Sequence, residues 1–172
     1  MKVILVAGER GEGKTTFVKK TAKALKIKGK PIFGFYAVNR IDSQNREGYE
    51  LHNVASDEKV VLCKRGDPKT GELHLMDFWF NKGSIKTGEE WLKQGFSSLD
   101  PIFFLDEAGK FELDGYVWNN ILKDVINSNK GTLIVTVRNK FVKKIIEKYK
   151  LDSKDLTTVN DLLFTVEFTD KI

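Results

Sequence analysis

The feature that most constrains this chain is the octapeptide GERGEGKT at 8–15, which fits the pattern G-x-x-x-x-G-K-[ST]. It follows the short apolar run KVILVAG at 2–8, which predicts a strand buried on both faces within a parallel sheet. An amphipathic segment comes next and predicts a helix over 14–28. A glycine-rich loop between a strand and a helix turns backbone N–H groups toward an anion at the helix N-terminus. The loop is therefore predicted to hold phosphate.

The chemistry of this loop assigns roles to its polar side chains. Lys14 is expected to be exposed in the loop and to reach the β- and γ-phosphates of a nucleotide, while the Thr15 hydroxyl ligates Mg²⁺. The predicted nucleotide-binding residues of this segment are Gly8, Glu9, Arg10, Gly11, Glu12, Gly13, Lys14, Thr15 and Thr16.

A second motif, IFFLDE at 102–107, is an apolar strand that ends in two carboxylates. Asp106 is predicted to hold the Mg²⁺ shell, through water, from a strand near the phosphate loop. Glu107 is predicted to orient and deprotonate the attacking water, with a helix-capping or surface carboxylate as the alternative. Ala108 and Gly109 complete the predicted nucleotide site. Asp106 to Gly109 also fits the D-x-x-G pattern of GTPases, but the chain has no N-K-x-D motif, which disfavours a strict GTPase.

Arg138 follows a third buried strand, GTLIVTV at 131–137. If that strand runs parallel to the first, its carboxyl end opens into the same crevice. The guanidinium is then expected to reach the γ-phosphate, or to pair with Glu107 when no nucleotide is bound. The alternative is a surface arginine at the start of the next helix. The predicted catalytic residues are thus Lys14, Glu107 and Arg138.

The order of the elements predicts the fold. Apolar strands alternate with helical patterns over 87–97, 116–129 and 140–150, and LLFTVEF at 162–168 is expected to close the sheet. Such alternation predicts a mostly parallel three-layer α/β/α sandwich with right-handed crossovers. The region from about 40 to 86 instead has short strand-like runs between turns, which predicts an antiparallel β-hairpin insertion that extends the sheet or covers the site. At 172 residues the chain is predicted to be one domain over 1–172.

Composition narrows the function classes. Lys and Arg number 29 against 24 Asp and Glu, but only five are arginines and the lysines interleave with acids, which does not favour a nucleic-acid surface. Cys63 is the single cysteine, and the two histidines, His52 and His74, lie apart, so neither a disulfide scaffold nor a zinc site is expected. No apolar run approaches the roughly 20 residues of a membrane span, and a cytoplasmic protein without membrane partners is predicted.

Taken together, these segments resemble the THEP1 family of small nucleoside-triphosphatases, which are P-loop NTPases. The loop GERGEGKTT matches, GFYAVNR matches at Gly34, Phe35 and Arg40, and DEAGKFEL at 106–113 is similar to the family's D-E-I-G-x-M-E-L. Ala108 and Phe111 depart from that pattern, and the family's downstream N-R-D is reduced to 160–161. The resemblance implies slow, Mg²⁺-dependent hydrolysis of ATP, GTP and other nucleoside triphosphates with broad base tolerance. It also implies that GTLIVTV lies between the strand of the phosphate loop and that of Asp106.

Two other functions stay open at this point. A nucleotide or small-molecule kinase on the same fold would use arginines of the hairpin region, namely Arg40, Arg46 and Arg65, to close over the phosphates. An ATP-dependent module that binds nucleic acid or a protein partner would show turnover stimulated by that partner. The oligomeric state is not predicted by the sequence.

Overall fold

The computed structural model of the chain describes residues 1–66, 72–152, 156–159, 169 and 172. Within these residues, nine strands form a single mixed sheet and helices cover both of its faces. The strands are β1 (Lys2–Ala7), β2 (Ile32–Ile41), β3 (Glu47–Asn53), β4 (Lys59–Lys64), β5 (Leu73–Leu75), β6 (Phe78–Phe80), β7 (Ile102–Ala108), β8 (Thr132–Val137) and β9 (Leu156–Val159). The helices are α1 (Lys14–Ile27), α2 (Lys82–Lys93), α3 (Lys110–Leu113), α4 (Asn119–Asn127) and α5 (Val142–Tyr149).

The strand order is β5-β6-β4-β3-β2-β7-β8-β1-β9. β8 pairs in parallel with both β1 and β7, and β9 pairs in parallel with the other side of β1. This confirms the predicted α/β/α sandwich, in which the core of the mixed sheet is parallel, and GTLIVTV lies between the two motif strands as the family resemblance implies. The carboxyl ends of β1, β8 and β7 consequently meet at one edge, where open α/β sheets bind ligands.

The hairpin region is an extension of the same sheet. β2 pairs in parallel with β7 through its first residues and antiparallel with β3 from Phe35 to Ile41. β4, β6 and β5 then continue the antiparallel part outward. The predicted antiparallel insertion is therefore present as a sheet extension. Residues 67–71 of its predicted turn, the expected strand at 162–168 and the pair 160–161 all lie outside the described residues.

Two helix boundaries differ from those predicted by the hydrophobic pattern. The helix expected over 87–97 begins at Lys82, because the Asn81 side chain accepts a hydrogen bond from the Ser84 N–H and caps an earlier start. The helix expected over 116–129 is shortened to Asn119–Asn127. At α2 the polar cap of Asn81, rather than apolar periodicity, thus sets the start of the helix.

Each face of the parallel strands packs against its own helix layer. Side chains such as Ile4 and Val6 face α1, whereas Val3 and Leu5 face the layer of α2, α4 and α5. Burial on both faces explains why these strands read as continuous apolar runs. Gly34 lies where β2 pairs with β7. A Cβ on Gly34 would lie 2.1 Å from the carbonyl oxygen of Phe104, so only glycine lets β2 approach β7 this closely.

Candidate active site

The phosphate loop is the turn from Gly8 to Gly13 between β1 and α1. Gly13 precedes the helix with φ of 95°, a left-handed conformation that favours glycine. Because Gly13 has no side chain to cap α1, the first N–H groups of that helix are left for an anion. The Glu12 carboxylate meanwhile accepts a hydrogen bond from the Glu9 N–H at 2.7 Å and tightens the exposed side of the loop.

Lys14 folds back over the loop rather than standing in solvent. Its Nζ donates to the carbonyl oxygens of Gly8 at 2.9 Å and Glu9 at 2.8 Å, and its side chain is only 6% exposed. The sequence-based expectation of an exposed lysine was therefore wrong, because the loop carbonyls converge on the ammonium group. The same Nζ lies 3.8 Å from Oε2 of Glu107.

Asp106 is buried at the end of β7 and receives three hydrogen bonds from three different elements. The hydroxyl of Thr15 donates to Oδ2 at 2.7 Å, the Ala37 N–H donates to Oδ2 at 3.1 Å, and the Thr136 hydroxyl donates to Oδ1 at 2.5 Å. Burial raises the pKa of Asp106, and these donors together with Lys14 oppose that rise. The carboxylate is thus held in one orientation facing Thr15.

Glu107 lies between two cations. Nε of Arg138 donates to its Oε1 at 2.9 Å, and Lys14 faces its other oxygen. Burial raises the pKa of Glu107, while the charges of Arg138 and Lys14 lower it. The structure thus places Arg138 at the edge of the site in one of the two arrangements expected from the sequence, the pairing with Glu107.

A bulge in β7 allows two consecutive carboxylates to face one site. Leu105 is opposite Val135 and Ala108 is opposite Val137, so three residues of β7 span what two residues of β8 span. In a regular strand, successive side chains point to opposite faces. The extra residue changes the direction of the side chains that follow it, as bulges beside active sites do, and both Asp106 and Glu107 reach the phosphate loop.

Glu112 was not among the predicted site residues, although it lines the cavity beside the phosphate loop and binds two backbone N–H groups there. Its buried carboxylate accepts hydrogen bonds from the N–H groups of Gly109 at 2.7 Å and Trp118 at 3.3 Å. Burial raises the pKa of Glu112 to about 7, against the lowering effect of these backbone donors. Its one sequence signal is the E-L pair of the family-like motif.

Ala108, which was predicted to contact nucleotide, has its side chain packed in the core instead.

Thr136 and Ala37 were also missed by sequence reasoning. Thr136 is fully buried in β8, and the one signal for it is a hydroxyl within an otherwise apolar run two residues before Arg138. Ala37 contributes only its backbone N–H, for which no residue pattern exists.

A cavity of about 420 Å³ connects the phosphate loop with the sheet extension. Its polar end is formed by the loop and by the ends of β7 and β8, with Arg10, Thr15, Asp106, Glu107 and Arg138 in the lining. Its other end is formed by β3, β4, β6 and the α3–α4 segment and is mostly apolar and aromatic. Of the predicted residues, Gly109 also lines this cavity, whereas Thr16 lies exposed on the first turn of α1.

The Thr15 hydroxyl and the Asp106 carboxylate fit a small hard cation. Mg²⁺ prefers oxygen ligands and is usually held by one or two protein groups together with substrate phosphates and water. Among the described residues there is no cluster of three or more His, Cys, Asp or Glu side chains suited to a metal. A metal at this place would therefore depend on phosphate oxygens or water for the rest of its shell.

The described part of the chain also contains no helix long and apolar enough to span a bilayer.

Comparison with known proteins places this geometry in context. A family model described as NTPase matches residues 3–162. Nucleoside-triphosphatase THEP1 of Methanocaldococcus jannaschii is 29% identical over 148 residues, covering 86% of this chain and 85% of that protein. The THEP1 protein of Caldivirga maquilingensis is 30% identical over 138 residues, covering 78% and 75%. The solution structure of a human cancer-related nucleoside triphosphatase superimposes with a TM-score of 0.72 at 20% identity, over 99% of this chain and 95% of that one, which shows a shared fold.

Proposed function

The chain belongs to the NTPase family and is a nucleoside-triphosphatase, and from this premise we propose that it hydrolyses ATP, GTP and other nucleoside triphosphates slowly, with Mg²⁺ and with broad base tolerance. We further propose that residues 1–172 act as one cytoplasmic domain. The observation that carries the proposal is the position of Glu107 between Lys14 and Arg138, beside the hydrogen-bonded pair of Thr15 and Asp106.

Binding is proposed to begin at the phosphate loop. The N–H groups at the start of α1 face the phosphates, and Lys14 turns from the carbonyls of Gly8 and Glu9 toward the β- and γ-phosphate oxygens. Since Lys14 already lies within the loop, it needs only a short side-chain rotation. Thr15 and Asp106 would hold Mg²⁺, which when bound neutralises charge on the phosphate oxygens.

Glu107 is proposed to be the general base. Its carboxylate orients a water molecule whose oxygen attacks the γ-phosphorus while one water proton passes to Glu107. The bond from the γ-phosphorus to the bridging oxygen breaks, and the nucleoside diphosphate leaves with that electron pair. The raised pKa of Glu107 makes it a stronger base than an exposed glutamate.

Arg138 is proposed to exchange its contact with Glu107 for one with the γ-phosphate when a triphosphate binds. In the structure it donates to Glu107, and when a triphosphate arrives the γ-phosphate competes for the same guanidinium. Its forked donors then stabilise the charge that spreads over the γ-phosphate oxygens in the transition state. Pairing with Arg138 also keeps Glu107 charged and oriented until substrate binds.

The test is a hydrolysis assay of ATP, GTP, CTP and UTP with Mg²⁺ and with excess EDTA, in which diphosphate and free phosphate are both quantified. We expect free phosphate in the absence of any acceptor, similar rates for the four bases, and loss of turnover with EDTA. Glu107→Gln should retain nucleotide affinity and lose about 10²–10⁴-fold in turnover, because its amide cannot accept a proton. Lys14→Ala should lose binding or turnover.

The proposal fails if Lys14→Ala turns over at the wild-type rate, or if phosphate appears only when an acceptor is supplied. Near-normal turnover in Glu107→Gln with normal binding would remove the general-base role alone. Lys20→Ala is a suitable control for the lysine variant, since Lys20 is an exposed residue of the same helix outside the loop.

A further inference from the structure

The apolar end of the cavity is a chamber with aromatic walls. We use the term aromatic chamber for the part lined by Tyr49, Phe78, Phe80, Phe111 and Trp118. The rings contact one another in pairs: Tyr49 and Phe78 have centroids 5.8 Å apart, and Phe80 meets Phe111 edge-on at 5.3 Å. Tyr49, Phe78 and Phe111 are only half-buried, so they present ring surface to the cavity.

The strand order places the γ-phosphate between the aromatic chamber and the nucleoside of a bound nucleotide. Our proposed function puts the γ-phosphate at the end of β7, against Glu107. Neighbouring strands are about 4.8 Å apart, so β3 lies about 10 Å and β6 about 19 Å further from the phosphate loop than β7 does. The nucleoside is attached to the opposite end of the triphosphate chain. The base of a nucleotide bound in this way therefore cannot occupy the aromatic chamber.

Two cations line the polar end of the cavity, beside the phosphate site. Arg10 and Lys140 both line the cavity, and neither forms an ion pair with any residue that the structure describes. Arg65 lies over the Phe78 ring at 5.1 Å and is shared by Glu47 at 3.6 Å and Asp77 at 3.8 Å. The Lys140 Nζ lies 5.1 Å from the centroid of the Phe141 ring. An anionic group at this end of the cavity would face Arg10 and Lys140, neither of which has a carboxylate partner among the described residues, whereas Asp77 is already paired with Arg65.

We propose that the aromatic chamber binds a second small molecule that carries a planar aromatic ring and an anionic group. The ring stacks on Phe78 and its neighbours, and the anion faces Arg10 and Lys140, adjacent to the γ-phosphate. This inference rests on the proposed function, because that function fixes which end of the triphosphate faces the chamber. The cavity volume of about 420 Å³ falls within the range of small-molecule sites.

The test uses AMP as a probe that has both groups, with adenosine and ribose 5-phosphate as probes that each lack one. The protein is first saturated with Mg²⁺ and ADP, so that the phosphate loop is occupied, and each probe is then titrated by calorimetry. We expect one further equivalent of AMP to bind, and adenosine and ribose 5-phosphate to bind more weakly. Phe78→Ala should weaken AMP binding about ten- to a hundredfold, as loss of ring stacking does.

Matched variants separate the ring contact from a folding defect. Phe78→Leu keeps apolar volume but has no ring, and it should still lose at least part of the AMP affinity. Lys140→Ala should weaken AMP but leave adenosine unchanged. Tyr116→Ala, an exposed aromatic residue outside the cavity lining, should leave AMP binding unaltered.

The inference is overturned if the ADP-saturated protein binds no AMP, or if AMP binds equally well to wild type, Phe78→Leu and Lys140→Ala. Failure of ADP itself to bind would overturn the proposed function together with the second site. Saturable ADP binding without AMP binding would overturn only the second site.

Discussion

Replacing Arg138 with alanine separates catalytic charge stabilisation from simple structural support. Among the residues that the structure describes, the Arg138 side chain has one polar contact, the 2.9 Å hydrogen bond to Glu107, and the two side chains are 35% and 30% exposed. An ion pair of this exposure contributes at most about 1 kcal/mol to the free energy of unfolding, because solvent screens it. For a domain of this size that corresponds to a fall in Tm of about 2–4 °C.

The expected effect on turnover is much larger. Removing one donor to a developing oxyanion costs about 10²–10³ in kcat, or about 2.7–4 kcal/mol of the activation free energy. We therefore expect Arg138→Ala to melt almost like the wild type, to bind ADP with nearly the same affinity, and to lose about a hundredfold in kcat for ATP. Arg138→Lys keeps the charge but not the forked donors and should recover only part of that loss.

The assay compares kcat and KM for Mg·ATP, calorimetric ADP affinity and Tm across the variants. Arg46→Ala is the matched control, because Nε of Arg46 donates to Asp42 at 2.8 Å and the pair is similarly half-buried but lies outside the phosphate site. It should show the same small Tm change with kcat unaltered. Turnover within twofold of wild type in both Arg138 variants would refute the role of this arginine.

Three further perturbations address the buried acids. Asp106→Asn should lower activity and the Mg²⁺ requirement together, measured as turnover against Mg²⁺ concentration; an unchanged metal dependence would make Asp106 a structural strand-end residue. Thr136→Val keeps the shape of the side chain but removes the hydroxyl that donates to Asp106. It should lower the free energy of unfolding, measured in urea, by about 1–3 kcal/mol. A change below about 0.5 kcal/mol, as for a neutral surface substitution, would contradict this. Burial raises the pKa of Glu112 from 4.5 to about 7, so its protonated form contributes stability that is fully present below about pH 4.5 and is lost as the pH rises through 7. Urea titrations between pH 5 and 8 should show a loss of up to about 3 kcal/mol that is absent in Glu112→Gln, and parallel pH profiles would contradict the assignment.

The parts of the site that could be predicted are those encoded within one short segment. The phosphate loop needs its glycines, lysine and threonine at fixed spacing because backbone geometry and ligand contacts arise within eight residues. Asp106 and Arg138 were recognisable because each ends an apolar strand, and parallel strands bring their carboxyl ends to one edge. The predicted fold follows from the same alternation of buried strands and amphipathic helices.

The parts that could not be predicted depend on contacts between distant segments. Ala37 meets Asp106 across 69 residues and Thr136 meets it across 30. Nothing in the local pattern near these residues records the pairing. The bulge between Leu105 and Ala108, which aims two carboxylates at one site, likewise appears only when β7 is set against β8.

β2 physically couples the sheet extension to the phosphate site. Its first residues pair with β7, the strand that carries Asp106, and its later residues pair with β3 at the base of the extension. At Ala37, where β2 has passed beyond its pairing with β7, the backbone N–H turns to the Asp106 carboxylate instead. A displacement of β2 itself would therefore move a donor of Asp106. Tyr49 of β3 is paired with Asn39, two residues beyond Ala37 on β2, so a single strand separates the aromatic chamber from the proposed metal ligand.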